Sequence, residues 1–357
     1  MKNIIFLCHG AGNGGAERVI TTLASAFADK DYAVDLITTN ESKNDYVLNP
    51  KIHHTRILSK KGNTIERTID RILKLRKYIK KINPDCIISF SSIPNMQAVI
   101  ASLGLKCRVI ISERTDPSRY PTSRIGRTLR LILYTFADSV VFQTDEAKEF
   151  FPKSIQKLSI VIPNPIRNDL PNPYVGVREK KIVGIGSLGE QKNWSVALNA
   201  GKLFFEEHPE YTMDIYGDGP YRDSLQEIID GDMWLKGHVN LKGFSMNAVD
   251  EMAKAKMYIS SSDYEGISNA MLEALAVGTP VICTDCPVGG ARMFIKNGEN
   301  GFLFSVGDFV TLAEKMKLLA EDEDICKHFS KNSIVIRNEL NLDKIVNRWE
   351  EIVKGDV

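Results

Sequence analysis

The sequence predicts an α/β protein built from two doubly wound parallel sheets in tandem, and three observations carry that expectation. Short apolar runs alternate along the chain with longer segments of helical periodicity, the pattern of repeated strand–helix–strand units. Loops bearing glycine follow the apolar runs at residues 10–15, 217–219 and 289–290, where a parallel sheet opens its ligand-binding edge. At 357 residues the chain is long for one domain and comfortable for two.

In the N-terminal half, residues 4–8 read as a strand, residues 16–30 as an amphipathic helix and residues 33–39 as the next strand. Between the first two lies GAGNGGAER, a glycine loop opening onto a helix, where backbone amides can close on a phosphate. The spacing does not meet the dinucleotide fingerprint, and no acid stands at its ribose position. A basic helix is expected over residues 64–82, followed by strands at 85–90, 107–112, 139–144 and 158–162. Proline punctuates residues 161–173, as a linker requires, so the expected domains are 1–165 and 166–340 with a terminal helical segment at 341–357.

The second half repeats the pattern. A strand at 182–187 leads into LGEQKN, another precedes the YGDGP turn, and residues 239–244 (VNLKGF) form a further strand and loop. Residues 257–260 read as a buried strand running into EGISN. Residues 270–277 are then rich in helix formers, stopped by Gly278 and Pro280, and the next strand begins at 280.

A hydrophobic share of 43% and a charged share of 25% are ordinary for a soluble globular chain. Six cysteines are scattered, mostly inside apolar runs, which suits reduced buried thiols in a cytosolic protein. Cys283-Thr-Asp-Cys286 has redox or zinc spacing, but no second pair or histidine cluster completes a site, so it reads as structural. The N-terminal apolar run is too short for a signal peptide, and no stretch is long enough to span a bilayer. The net charge of +1 hides an asymmetry: residues 1–165 hold 25 basic and 15 acidic side chains, the remainder 21 and 30. Two halves of opposite sign are expected to meet different partners.

The chemistry centres on EGISNAMLE. Glu265 falls in a loop, and the amides of Gly266, Ile267, Ser268 and Asn269 fall near a helix N-terminus that favours an anion. Glu273 stands one turn into that helix. Spacing alone favours a solvated loop carboxylate and a surface carboxylate near the helix N-terminus. However, EGISNAMLEALAVGTPVI resembles the E-x7-E segment of family 4 retaining glycosyltransferases of the GT-B fold.

That resemblance covers nearly the whole chain and implies two Rossmann-like domains facing across a cleft, with the terminal segment crossing back to the first. It implies that Glu265 and the amides of Gly266, Ile267, Ser268 and Asn269 hold a donor sugar and its phosphates, and that Glu273 holds ribose hydroxyls. Gly14-Gly15-Ala16-Glu17-Arg18 resembles the family's first loop, which puts Gly15 and Arg18 at the donor. Gly243 and Phe244 fall where the family presents its backbone to the nucleotide base.

Lys192 matches a lysine that clamps the diphosphate, whereas Ser187 replaces the arginine that usually assists it. Arg114 stands in place of a histidine at a strand end, as an anchor for an anionic acceptor or as a surface charge. Glu265, Lys192 and Arg114 are thus the expected catalytic residues.

The implied activity is metal-independent transfer, with retained configuration, of a hexose or N-acetylhexosamine. The donor is a nucleotide diphosphate sugar, expected to be UDP-linked, and the acceptor a glycan or polyprenyl-diphosphate-linked glycan. No cofactor and no nucleic acid is expected. A GT-B epimerase of nucleotide sugars, or a non-catalytic nucleotide-sugar-binding regulator of glycan assembly, are the alternatives.

The run from Lys60 to Lys81 holds nine Lys or Arg against Glu66 and Asp70, and Arg124, Arg127 and Arg130 add a second basic stripe. Ile65, Ile69, Ile72, Leu73, Leu75, Tyr78 and Ile79 recur at helical spacing and are expected to pack on the sheet. The basic face then suits electrostatic docking on the cytoplasmic leaflet of an anionic membrane, with no inserted segment. A cytoplasmic, peripheral location follows.

Overall fold

The computed structural model describes residues 2–12, 14–41, 45–60 and 62–356. Asn13 of the first glycine loop and Lys61 of the basic run lie outside them. The chain divides into two compact units: Met1–Pro165 with Leu342–Val357, and Ile166–Asn341.

In the first unit the order begins β1 (Asn3–Cys8), α1 (Gly15–Asp29), β2 (Ala33–Thr38), β3 (His53–Arg56) and α2 (Thr64–Ile82). It continues with β4 (Cys86–Phe90), α3 (Ser92–Ser102), β5 (Arg108–Ser112), α4 (Arg124–Tyr134) and β6 (Ser139–Phe142). Short helices α5 (Asp145–Glu149) and α6 (Lys153–Gln156) lead to β7 (Ser159–Val161). The seven strands are parallel in the order β3-β2-β1-β4-β5-β6-β7. Strands such as β4 (CIISF) are buried throughout, which is why they read as continuous apolar runs rather than alternating ones.

β3 was not legible in the sequence. Its HHTR is polar because it is an edge strand, half-solvated and paired only with β2.

The second unit runs β8 (Glu179–Ile185), α7 (Trp194–Phe205), β9 (Thr212–Tyr216), α8 (Arg222–Asp230), β10 (Val239–Gly243) and α9 (Ala248–Lys254). Next come β11 (Ala255–Ser260), α10 (Asn269–Ala276), β12 (Val281–Thr284) and β13 (Phe302–Phe304). Three helices close the unit: α11 (Phe309–Glu321), α12 (Glu323–Ser333) and α13 (Ile336–Glu339). Six parallel strands form the order β10-β9-β8-β11-β12-β13. Its core packs Phe204, Phe205, Met213, Ile215, Met257 and Ile259 with side chains from the flanking helices.

The last helix, α14 (Leu342–Lys354), belongs to the first unit. It buries Ile345, Val346, Trp349, Ile352 and Val353, and Trp349 packs on Phe90 with ring centroids 5.6 Å apart. Its polar edge closes on α1 and the turn after it. Glu350 accepts hydrogen bonds from Lys30 Nζ at 2.8 Å and Tyr32 Oη at 2.6 Å.

One expectation fails on α2. The helix is capped by the Asn63 side chain, which accepts from the Glu66 amide, and it ends at left-handed Asn83. Leu75 and Ile79 are buried, but Ile65, Ile69 and Leu73 are exposed. The helix carries more apolar surface than its neighbour α3 and the sheet can cover.

Lys30, Tyr32 and Lys354 together hold the Glu350 carboxyl down to about 2, from an ordinary value of 4.5. A carboxylate whose folded pKa is depressed stabilises the fold above its unfolded pKa and loses that contribution as the pH falls toward the folded one. Glu350→Gln should therefore lower Tm near neutrality, by about 2 °C for roughly 1 kcal/mol of a solvent-screened cluster. Thermal unfolding followed against pH should show the two proteins converging between pH 4.5 and about 2. A pH-independent difference would mean that the cluster acts through packing and not charge.

Candidate functional site

In the second unit the strand order reverses between β8 and β11, since β9 and β10 extend to one side and β12 and β13 to the other. Chains leaving the C-terminal ends of these neighbours part in opposite directions and leave a crevice, the place where open α/β sheets hold ligands. Loops 186–193 and 261–268 border it, and they are zipped together. The Asp263 amide donates to Gln191 O at 2.9 Å, and Gln191 Nε2 donates to Tyr264 O at 2.9 Å. Asn193, held left-handed at φ 39°, donates to Asp263 Oδ1 at 2.8 Å, and Ser261 Oγ donates to Lys192 O at 2.9 Å.

Within this zipper Lys192 Nζ forms an ion pair with Glu265 Oε1, both side chains largely buried. Ser262 Oγ donates to the same oxygen at 3.0 Å. Two residues 73 apart in sequence thus meet.

Beyond Glu265 the chain turns into α10. Ser268 is its N-cap, accepting from the Met271 amide at 3.4 Å, and Gly266 and Ile267 are buried just before it. The glycine loop after β12 presses against this corner. A Cβ on Gly290 would stand 1.7 Å from Gly266 O, so Gly290 is what lets the two backbones touch.

Glu273 is not the solvated helix carboxylate that spacing alone favours: it is only 4% exposed. Its Oε1 lies 3.8 Å from Arg167 Nε, which also approaches Asp169 at 3.2 Å. Arg167 gave no motif signal, since only the fold brings the start of the second unit beside α10.

Ser187, expected near the diphosphate, is exposed in the loop after β8, where its carbonyl accepts from Trp194 Nε1 at 3.0 Å. Gly243 and Phe244 form a neighbouring cluster. Gly243, at φ +72°, accepts from the Gly217 amide at 2.9 Å, and the Phe244 amide donates to Asp218 Oδ2 at 3.0 Å. The Phe244 ring itself is exposed. Gly217 and Gly219 leave room for the Gly186–Leu188 backbone, which a Cβ at either would strike. Arg292 pairs with Asp285 at 2.6 Å. Burial pushes the Cys286 thiol up to about 12 and Cys283 well above its ordinary value, so neither is poised as a thiolate.

The first unit reverses its strand order between β1 and β4, and the first glycine loop leaves β1 there. Gly15 is exposed and Arg18 half-buried at the start of α1. The Glu17 carboxylate folds over Gly14, where a Cβ would meet Oε2 at 1.9 Å.

After β5, successive side chains go to different partners. Glu113 is buried, receives hydrogen bonds from Ser92 Oγ at 2.8 Å and from Tyr134 Oη, and burial raises its pKa. Arg114 is not a surface charge. It lies buried over the Phe90 ring at 4.3 Å, donating to Asn164 Oδ1 at 2.6 Å and Ser112 Oγ at 3.3 Å. Burial pulls its pKa down to about 9, which leaves it charged at neutrality, and its buried Nε has no hydrogen-bond partner among the described residues. Among those residues no group of three or more His, Cys, Asp or Glu could hold a metal ion.

Known proteins resemble the chain along its whole length. Residues 13–170 match the model of Glycosyltransferase Family 4, and residues 171–335 match that of Glycosyl transferases group 1. A GalNAc-alpha-(1->4)-GalNAc-alpha-(1->3)-diNAcBac-PP-undecaprenol alpha-1,4-N-acetyl-D-galactosaminyltransferase of Campylobacter jejuni is 26% identical, over 99% of this chain and 98% of its own. A second C. jejuni protein, an N-acetylgalactosamine-N,N'-diacetylbacillosaminyl-diphospho-undecaprenol 4-alpha-N-acetylgalactosaminyltransferase, is 27% identical over 93% and 94%. The structure of Anabaena HepE in complex with UDP and glucose superposes with a TM-score of 0.82 at 18% identity, covering 98% of this chain and 99% of that one.

The packing at Gly290 yields a paired test. Gly290→Ala should cost about 1–3 kcal/mol through overpacking against the Gly266 backbone and should disturb the Glu265 loop. Gly189→Ala, at an extended φ of −143° with nothing within 4 Å of its Cβ, should leave thermal unfolding unchanged. Equal Tm values for wild type and both variants would show that the close approach is not maintained in solution.

Proposed function

Because the chain belongs to the group 1 and family 4 glycosyltransferases with the GT-B fold, we propose that it moves a hexose or N-acetylhexosamine from a UDP-linked sugar to a glycan or polyprenyl-diphosphate-linked acceptor. The observation that carries the donor assignment is the meeting of Lys192 and Glu265 at the reversal of strand order, beside the capped N-terminus of α10. Support for the acceptor class comes from the two C. jejuni relatives, whose names specify undecaprenol-diphosphate-linked glycans. Support for UDP comes from the ligand of the Anabaena protein.

In this reading Lys192 exchanges its partner Glu265 for the donor diphosphate and neutralises it as it departs. Glu265, released from that pair, positions the sugar hydroxyls, and Glu273 takes the ribose hydroxyls. The acceptor hydroxyl forms its bond to the anomeric carbon on the face from which the phosphate oxygen leaves, and its proton passes to that oxygen. Configuration is retained, no covalent glycosyl–enzyme forms, and no metal is required. Arg114 and Arg18 are the cations that the first unit offers to an anionic acceptor group.

Incubation with labelled UDP-sugars and a lipid extract containing polyprenyl-diphosphate-linked glycans should move label into the lipid fraction, with the anomer retained by NMR. Isomerised free donor, or binding of donor without turnover, would overturn the assignment. Glu273→Ala should weaken UDP binding by roughly 1.5–3 kcal/mol, the worth of a charged hydrogen bond. Unchanged calorimetric affinity would remove Glu273 from the ribose. Lys192→Ala should reduce turnover at saturating donor more than it reduces UDP affinity, because the charge on the diphosphate grows as the bond breaks. A variant with wild-type turnover would remove Lys192 from the leaving group.

A further inference from the structure

Residues 166–171 fall in the proline-punctuated stretch that the sequence presents as a linker, yet the fold fastens them beside α10. The Ile166 amide donates to Leu340 O at 2.8 Å, and Ile166 forms a parallel bridge with Asn341, so the strip begins as paired backbone. Its far end is tied by Arg337 of α13. That guanidinium donates through Nε to the carbonyl of Ala276, the last residue of α10, at 2.6 Å, and through Nη2 to Pro171 O. One side chain thus joins the end of the strip to the end of α10, where a helix leaves carbonyls without intrahelical partners. Between the two fastenings stands Arg167.

Arg167 is half-buried and lies between two carboxylates in unlike surroundings. Asp169 Oδ1, 3.2 Å from Nε, belongs to a side chain that is 77% exposed, whereas Glu273 Oε1, at 3.8 Å, belongs to a buried one. A carboxylate in water needs no cation, and a surface ion pair contributes little. A carboxylate taken out of water loses hydration that a nearby opposite charge must offset. The approach to Glu273 is therefore the one with consequence. At 3.8 Å it lies beyond hydrogen-bonding reach, so Arg167 acts on Oε1 through charge.

We propose that Arg167 is a positioning residue for nucleotide recognition: its charge keeps the Glu273 carboxylate in its buried place on α10, to take the 2′ and 3′ hydroxyls of the donor ribose. The inference rests on the donor reading above and adds to it a residue that lies outside the E-x7-E segment. An ionised carboxylate only accepts hydrogen bonds and has two oxygens, which suits a pair of neighbouring hydroxyls that both donate. Without the cation the same carboxylate would gain by turning toward water, and the two acceptors would leave the ribose. Because the strip is pinned on both sides of Arg167, the guanidinium reaches Glu273 with little further ordering when the nucleotide binds.

The test is calorimetric titration of the full chain with UDP and with 2′,3′-dideoxyuridine diphosphate, which keeps the base and the diphosphate but lacks both hydroxyls. Wild type should prefer UDP by at least about tenfold, the contribution of a hydrogen bond to a charged group. Arg167→Gln should lose about tenfold in UDP affinity and nothing in affinity for the dideoxy compound, so that the preference collapses. Arg167→Lys, which keeps the charge without the planar fork, should retain most of the preference. Glu273→Ala should abolish it, and adding Arg167→Gln to Glu273→Ala should lower UDP affinity no further. Equal losses for the two nucleotides in either Arg167 variant, the mark of a merely structural role, would overturn the inference and leave the donor reading in place. The same holds for an undiminished preference in Arg167→Gln. A wild type without preference, or a preference that persists in Glu273→Ala, would instead overturn the ribose contact and the inference with it.

Discussion

Two neighbouring parallel strands whose chains leave in opposite directions cannot close the gap above them with their own backbone, and the second unit depends on that gap. β8 and β11 are such neighbours, and the loops that leave them are the ones that carry Lys192 and Glu265. Hydrogen bonds from Asp263, Gln191, Asn193 and Ser261 bind the two loops into one rim around the ion pair. Removing two charges from water offsets much of their attraction, and the pair therefore contributes little net stability. Its consequence is positional: a cation and a carboxylate are fixed side by side where a charged ligand can divide them.

The glycines around this rim follow from the same constraint. Gly217 and Gly219 admit the loop after β8, and Gly290 admits the Gly266 corner. Side chains at these points would push the loops apart by more than the hydrogen bonds could follow. The motif glycines of the second unit therefore serve backbone-to-backbone contact, with any ligand approach as its result.

In the first unit the chain beyond β5 spends its polar residues differently. Glu113 and Arg114 are adjacent, yet Glu113 finds Ser92 and Tyr134 from α3 and α4 while Arg114 finds Phe90 and Asn164. Each buried charge is compensated by hydrogen bonds and not by the other. Arg130 likewise goes inward, with Leu133 and Tyr134, to carbonyls and an aromatic ring, and the row Ile125, Leu129 and Ile132 of α4 faces outward. The buried polar network and the exposed apolar row are two sides of one helix orientation.

The sequence by itself determined the alternation of strands and helices, the parallel sheets, and the boundary region near Pro165, because these depend on local periodicity and on proline. It also marked Glu265, Glu273 and Lys192, though only through resemblance, since a lone lysine before a helix or a carboxylate on one is ordinary. The polar edge strand β3, the partnership of Lys192 with Glu265 and Ser262, the approach of Arg167 to Glu273 and the burial of Arg114 were decided by tertiary structure. The same is true of the outward row on α4, whose spacing is identical to that of a core-facing helix. Periodicity shows that a helix has an apolar face. Which way that face points depends on what its neighbours can cover and on which buried groups demand its polar side.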